Sequence, residues 1–377
     1  MNVDSPTSQR PSQRPPPYAI DASSLGWLIV GASSLADQFA IEAIRRQPAL
    51  AGARSVNSWI AGVHSHHAGR GQQFAIKHHI PHSSDDLAAL VHRDHVQCVY
   101  IANHPRHHFE SVRTALLAGK HVLCESPLAL ALDESQQLAA IADQYGLLLA
   151  VNFSHRCDPN LIQLKALLAN DQLGKLIGGR LLNAVLLETR QRTWRLQPTV
   201  GGALLHRTLF DIDLLRFLFN DEVAALQAQS TTRVHTENLD EDVQTTLQFK
   251  GDKLIVSLYD SFLVPNVDTK LELFGTNGSA TVTNCLSLQK NSDLILVGRE
   301  SAAPPPFSTQ FSTQFSTHSS SANQRFFHTF AAFQHALRTN TRPAASAQDF
   351  IAALSVVEAA RQSLTHKLWT TLTTLQN

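Results

Sequence analysis

The sequence predicts an α/β chain whose second half is α+β: a doubly wound parallel sheet first, then an open, mainly antiparallel sheet with helices on one face. Three observations predict it. Short apolar runs that do not alternate recur over residues 25–152, each followed by an amphipathic stretch, the pattern of strands buried on both faces. From residue 222 to about 298, strand-like segments follow one another with period-two character and no helix between them. Helical patterns return at residues 324–337 and 347–363, with Pro343 between them.

Taken in order, Trp27-Leu28-Ile29-Val30 is the first strand, Gly31 ends it, and residues 35–46 carry the first helix. Residues 59–63, 96–102, 121–124 and 147–151 read as further strands, and residues 68–78, 107–118 and 132–145 as helices between them. Residues 160–168 are helical, 181–187 strand-like, and 203–219 a strongly apolar helix. Within the second sheet, residues 243–249, 254–258 and 270–274 alternate. The chain therefore divides into a tail (1–24), a first domain (25–152) and a second domain (153–377) that includes C-terminal helices over 324–370. The tail holds Pro, Ser, Gln and Arg and reads as disordered. So does an insertion at 301–322, where three Phe-Ser-Thr copies (Phe307, Phe311, Phe315) stand beside a proline run. A phenylalanine every fourth residue also suits a strip that docks a partner.

Composition narrows the function. Lys+Arg and Asp+Glu balance at 31 each, which removes a global attraction to nucleic acid or anionic lipid and points to a small-molecule substrate. No apolar run is long enough to span a bilayer, and the N-terminal tail has no apolar core of a secretory signal. Four scattered cysteines (Cys98, Cys124, Cys157, Cys285) form no C-x-x-C pair and suit a reducing cytoplasm. A cytoplasmic protein without nucleic-acid or membrane partners is expected.

Gly31-Ala32-Ser33-Ser34-Leu35-Ala36 turns from a strand end into a helix, where unpaired N–H groups can receive a pyrophosphate. Only the first of the three glycines of a dinucleotide fingerprint is present; Ser33 replaces the second and Ala36 the third. The second strand ends in Val63-His64-Ser65-His66, with no carboxylate to bind a ribose diol. Ser65 and His66, with Arg70 nearby, could bind a 2′-phosphate, so NADP is favoured over NAD; both residues also suit a solvated loop.

Further along, Val99-Tyr100-Ile101-Ala102-Asn103-His104 with His108, then Gly119-Lys120-His121-Val122-Leu123-Cys124-Glu125-Ser126-Pro127, resemble the Gfo/Idh/MocA (glucose–fructose oxidoreductase, inositol dehydrogenase) family, whose diagnostic segment is Gly-Lys-His-Val-x-x-Glu-Lys-Pro. Phe153-Ser154-His155-Arg156, Leu173-Gly174-Lys175-Leu176, Trp194-Arg195, Gly201-Gly202-Ala203, Phe274-Gly275-Thr276-Asn277-Gly278 and Asp349 continue the resemblance in register. It covers roughly residues 25–300 and 324–370. It implies a Rossmann domain binding NAD or NADP through Gly31, Ser33, Ser34, Leu35, Ser65, His66, Asn103, His104, His108, Glu125 and Ser126. It further implies a substrate domain with pocket residues His155, Arg156 and Arg195, and a homo-oligomer formed through the open sheet.

Two departures touch the chemistry. Ser126 stands where the family has the lysine that handles the substrate hydroxyl's proton, and serine has neither its charge nor its reach. The family's Asp-x-Gly-x-His-x-x-Asp becomes His206, Thr208, Phe210 and Asp213, so the acid/base histidine is a phenylalanine. On a helix, residues 206, 210 and 213 share a face. The catalytic candidates are therefore Ser126, Asp213 and His206, the last as a displaced acid/base or as a histidine hydrogen-bonded between domains. Arg195 equally suits an anionic or polyhydroxylated substrate and an interdomain ion pair. Nineteen histidines show no metal-binding spacing, so no metal is expected and most are read as surface residues. Two functions remain open: an NAD(P)-dependent oxidoreductase on a sugar, cyclitol or related carbonyl compound, and a catalytically silent dinucleotide-binding sensor or partner subunit.

Overall fold

Strand β1 (Ser24–Val30) is buried from Leu25 onward, and its Trp27 has both sheet neighbours and a helix packed around it. The computed structural model describes residues 24–46, 57–231, 239–298 and 322–372; the expected tail and the Phe-Ser-Thr insertion lie essentially outside them. β1 pairs in parallel with β2 (Asn57–His64) on one side and β4 (Cys98–Ile101) on the other. β3 (Ser83–Ser84), β5 (His121–Cys124) and β6 (Leu149–Val151) complete a parallel sheet in the order β3-β2-β1-β4-β5-β6. The order reverses between β1 and β4, which opens a crevice at the carboxyl ends of the strands.

The helices between these strands close as the local chemistry dictates. A π-turn (Ala36–Ala40) runs into α1 (Ile41–Arg45), and α2 (Ala68–Lys77) follows β2. Helix α3 (Leu87–Val91), which periodicity misses, is capped by the Asp86 carboxylate accepting from Ala89 N–H. After it come α4 (His108–Leu117) and α5 (Leu132–Tyr145). In α5 the Glu134 side chain accepts from the Ala131 N–H at one end, and Gly146 at φ +66° stops the helix at the other.

The second half is an eight-stranded sheet in the order β13-β12-β11-β7-β10-β9-β8-β14. Its strands are β7 (Leu176–Ala184), β8 (Val223–Thr231), β9 (Asp242–Phe249), β10 (Ile255–Ser261), β11 (Lys270–Gly275), β12 (Gly278–Thr283), β13 (Asp293–Gly298) and β14 (Thr370–Thr371). All pairs are antiparallel except β7–β10. α6 (Pro159–Ala169) packs against β12 and β13, and α9 (Ala347–His366) against β8. A second π-turn (Leu204–Thr208) leads into α7 (Leu209–Phe219), which packs on α6 and α9. Strand β7 begins five residues before the sequence pattern suggests, because Gly178-Gly179-Arg180 hides its alternation.

Helix α8 (Ala322–Thr339) returns to the first sheet. Phe330 and Phe333 lie 5.3 and 5.4 Å from the Trp27 ring, Phe330 lies 5.2 Å from Tyr100, and Gln334 donates to Ser58. Its aromatic stripe covers the sheet face shared with α1. Among the described residues no helix is long and apolar enough to cross a membrane.

Candidate functional site

The crevice begins at Gly31, whose φ of +113° favours glycine. A Cβ there would lie 2.5 Å from Asn103 N and 2.7 Å from the Ala102 carbonyl, so the turn passes directly over the end of β4. Ser33 Oγ accepts from Ala36 N–H, Ser34 is exposed, and Leu35 leads into the π-turn. Such a widened turn is frequent at functional sites.

Four buried polar atoms at the carboxyl ends of the strands flanking β1 have no hydrogen-bond partner. They are His64 Nδ1 on the last residue of β2, Asn103 Oδ1 after β4, Ser126 Oγ after β5 and Asn152 Oδ1 after β6. Leaving a buried polar group unmet costs about 1–3 kcal/mol, and here four such groups border one crevice. A dinucleotide lying across the strand ends supplies the hydroxyl, amide and phosphate groups these atoms lack. The residues present therefore fit the cofactor.

Glu125 holds this edge together. Its carboxyl accepts from Tyr100 Oη and, at 2.6 Å, from Asn152 Nδ2. Burial pushes it up to about 7, against the lowering effect of those hydrogen bonds. The sequence marked Glu125 only as a cofactor contact; its neutral-range titration comes from burial, which sequence does not show, tempered by Tyr100, 25 residues away.

His108 has a different place from the one expected. The ring is buried, with Nδ1 2.6 Å from Pro127 O and Nε2 3.1 Å from Asn103 O. Burial pushes it down to about 4, so the ring is neutral at physiological pH, and the shorter contact assigns its single N–H to Pro127 O. It ties the β4 loop to the segment that presents Ser126, across a cis Ser126–Pro127 bond, instead of facing a ligand. Ser65 is likewise buried, and its hydroxyl accepts from His67 N–H. His66 is exposed and stacks 4.5 Å from His107, while His104 lies 5.7 Å from Trp194.

Asp213, His155 and Arg156 do come together, but as a strut and not around a pocket. Asp213 is wholly buried; it accepts from both Arg156 Nε (2.8 Å) and Nη2 (2.6 Å) and contacts His155 Nε2 at 2.8 Å. Arg156 also reaches Asp349 at 3.3 Å and the Ala344 carbonyl. Through these contacts the residues join the end of the first sheet to α7 and α9. The structure thus shows Asp213, expected as a catalytic candidate, and His155 and Arg156, expected as pocket residues, engaged with one another.

Phe210, at the family's histidine position, packs 5.4 Å from Phe153 and 6.2 Å from His155. His206 turns away from that face, because it sits in the π-turn. Its Nε2 donates to Val200 O at 2.8 Å and its ring meets Trp194 edge-on at 4.7 Å. Burial, with the charges of Arg195, Arg207 and Arg361, pushes it down to about 3. A displaced acid/base working near neutrality is therefore replaced by a neutral ring committed to the backbone. Arg195 lies over the Trp194 ring (4.3 Å) and makes no ion pair with any described residue. No cluster of described His, Cys, Asp or Glu residues could hold a metal.

Comparison with known proteins gives the same picture over most of the length. Residues 25–153 match a family described as oxidoreductase family, NAD-binding Rossmann fold, and residues 161–281 match the GFO/IDH/MocA C-terminal domain. A 1,5-anhydro-D-fructose reductase from Ensifer adhaerens is 27% identical over 341 residues, spanning 89% of this chain and 96% of that protein. Trans-1,2-dihydrobenzene-1,2-diol dehydrogenase of Mus musculus is 25% identical over 285 residues, 75% of this chain and 81% of its own length. The crystal structure of an inositol dehydrogenase homologue from Azotobacter vinelandii complexed with NAD+ shares the fold, with a TM-score of 0.76 and 18% identity over 93% of this chain and 98% of that one. Two family models that together span most of the chain, in the order the two sheets follow, identify it: this chain is an oxidoreductase of the GFO/IDH/MocA family with an NAD-binding Rossmann domain.

Proposed function

We propose that the protein is an NAD(P)-dependent oxidoreductase that transfers hydride between the nicotinamide and a sugar, cyclitol or related carbonyl compound, with NADP favoured over NAD. The observation that carries this reading is the convergence of four unpartnered polar atoms with the Gly31 turn at the strand-order reversal. The bound nicotinamide supplies the hydride donor or acceptor. Gly31 lets the backbone approach the pyrophosphate, and Asn103, Ser126 and Asn152 orient the nicotinamide half. Exposed His66 and Arg70, with no carboxylate at the end of β2, accommodate a 2′-phosphate.

His206 is a neutral ring bonded to Val200 O, whereas Glu125, next to Ser126, exchanges a proton close to pH 7. General acid/base assistance is worth about 10²–10⁴-fold. Glu125→Gln should therefore remove any inflection near pH 7 from the kcat profile; an unchanged inflection excludes Glu125. The sign for stability is separate. Glu125 has a folded value above its unfolded one, so its stabilising contribution is present at low pH and lost as pH rises toward and through 7. Glu125→Gln should accordingly raise the Tm more at pH 8 than at pH 5.

A catalytically silent dinucleotide-binding protein is the second reading, favoured by Ser126, by Phe210 and by the commitment of His206 to Val200 O. Fluorescence titration with NADPH and NADH tests both: no binding of either at near-millimolar concentration excludes both. If binding occurs, turnover on polyols, aldoses and enones separates enzyme from sensor.

A homo-oligomer through the second sheet belongs to the same proposal. α6 and α9 cover one face of that sheet, while Ile255, Phe274 and Val297 are exposed on β10, β11 and β13. Phe274→Glu combined with Val297→Glu should shift sedimentation to a monomer; an unchanged profile places the interface elsewhere.

A further inference from the structure

We propose that Arg195 and Arg207 form an oxyanion subsite in the cleft, with Trp194 as its wall, so that the substrate carries a carboxylate or phosphate group. This rests on the reading of the cleft as an oxidoreductase site and names the class of substrate it takes.

The place is built, not incidental. Arg195 O accepts from Gly202 N–H at 3.0 Å, and Gly201 lies so close that a Cβ on it would meet Arg195 O at 2.0 Å. The Arg195 backbone is thus pinned to the entrance of the π-turn that carries His206 and Arg207. Trp194 bridges the two halves of the molecule, 5.7 Å from His104 after β4 and 4.7 Å from His206, and Arg106 donates to Gln197 across the same gap. The segment therefore borders the cleft between the cofactor loops and α7.

Charge accounting singles out Arg195. Arg207 donates through Nη1 to Asn183 Oδ1 and lies over Phe262, while its Nε is buried without a partner. Its charge is met by Asp211 and Asp260, two fully buried carboxyls that also accept from Asn183 Nδ2 and Thr208 Oγ1 respectively. Burial raises both carboxyls, Asp260 to about 6, while the Arg207 guanidinium draws both back toward the charged form, so Arg207 has its counter-charge in this pair. Nothing among the described residues balances Arg195. His206 beside it is neutral, and among the described residues the charge that acts on Arg195 is the repulsion of Arg207. A desolvated guanidinium without a counter-charge is unfavourable in the free protein and is relieved when a ligand brings an oxyanion. Arg207, in the same π-turn as His206, is close enough for its charge to act on Arg195 and brings a second guanidinium whose Nε is unmet.

The test is calorimetric titration of the full chain saturated with NADPH, at fixed ionic strength, with D-gluconate, D-glucose 6-phosphate and neutral D-glucose. At least one of the two anions is expected to bind roughly tenfold more tightly than D-glucose, and which one does so distinguishes carboxylate from phosphate. Arg195→Gln should abolish that preference, whereas Lys175→Gln, the same charge change at an exposed site on the second domain, should leave it intact. Arg207→Lys keeps the charge opposite Asp211 and Asp260 and should weaken the anion without unfolding the chain. Equal binding of the three sugars, or an anion preference that survives Arg195→Gln, overturns the subsite while NADPH binding still stands. Loss of NADPH binding itself overturns the dinucleotide reading instead, and the same anion titration on the chain without NADPH then decides the subsite by the same criteria.

Discussion

Replacing Asp213 by alanine should cost the fold about 3–5 kcal/mol, because it strands Arg156 and His155 in a place where water cannot replace the lost carboxylate. Arg156 would keep Asp349 as a partner, but at 3.3 Å and with a geometry set by Asp213. Denaturant unfolding measures the loss directly, and a change below about 1 kcal/mol would show that the strut carries little. Asp213→Asn, which preserves shape and one acceptor, should fall between the two. The acid limb of the stability curve follows from the same contacts. Burial would raise the Asp213 carboxyl, but His155 and Arg156 together hold it below the usual aspartate value. Its contribution is therefore complete above the unfolded value near 4 and is lost as pH falls through the folded one. In the alanine variant this part of the acid dependence should disappear.

Gly31→Ala should remove dinucleotide binding. The substitution forces a Cβ to within 2.5 Å of Asn103 N at a φ of +113°, against backbone held by the β1–β4 ladder. Strain of this kind costs about 1–3 kcal/mol, and relieving it moves the turn away from the pyrophosphate. An affinity loss of more than about tenfold is expected in the NADPH titration, with circular dichroism close to that of the parent. Gly69→Ala is the matched control. It lies in the first turn of α2 with nothing within 4 Å of a new Cβ, and it should raise stability by about 0.4–1 kcal/mol without touching cofactor affinity. Tight NADPH binding by Gly31→Ala would mean that the cofactor does not use this turn.

How much of this was legible varied with the range of the interactions. The strands of the first sheet are continuous apolar runs because both faces are covered, and α5 matches its pattern to the residue because its end signals, Glu134 and Gly146, lie within the segment itself. The two-residue β3 and five-residue α3 were missed because neither is long enough to show a period. The covering of the first sheet by α8 was also hidden, since the Phe330 and Phe333 stripe marks a buried helix face without naming the surface that buries it.

The candidate site divides the same way. By itself the sequence determined the order of the two sheets, the glycine turn at Gly31, the missing carboxylate after β2, and the replacement of the usual lysine and histidine by Ser126 and Phe210. Each depends on residue type and local position, which a chain carries in any conformation. Only the tertiary structure decided that Asp213 belongs to a buried strut, that His206 bends toward Val200 through a π-turn, that Glu125 titrates near neutrality, and that Arg195 stands without a counter-charge. Those properties come from desolvation and from partners brought together by packing, such as Tyr100 on Glu125, 25 residues away, and His155 on Asp213, 58 away, and neither exists until the chain has packed.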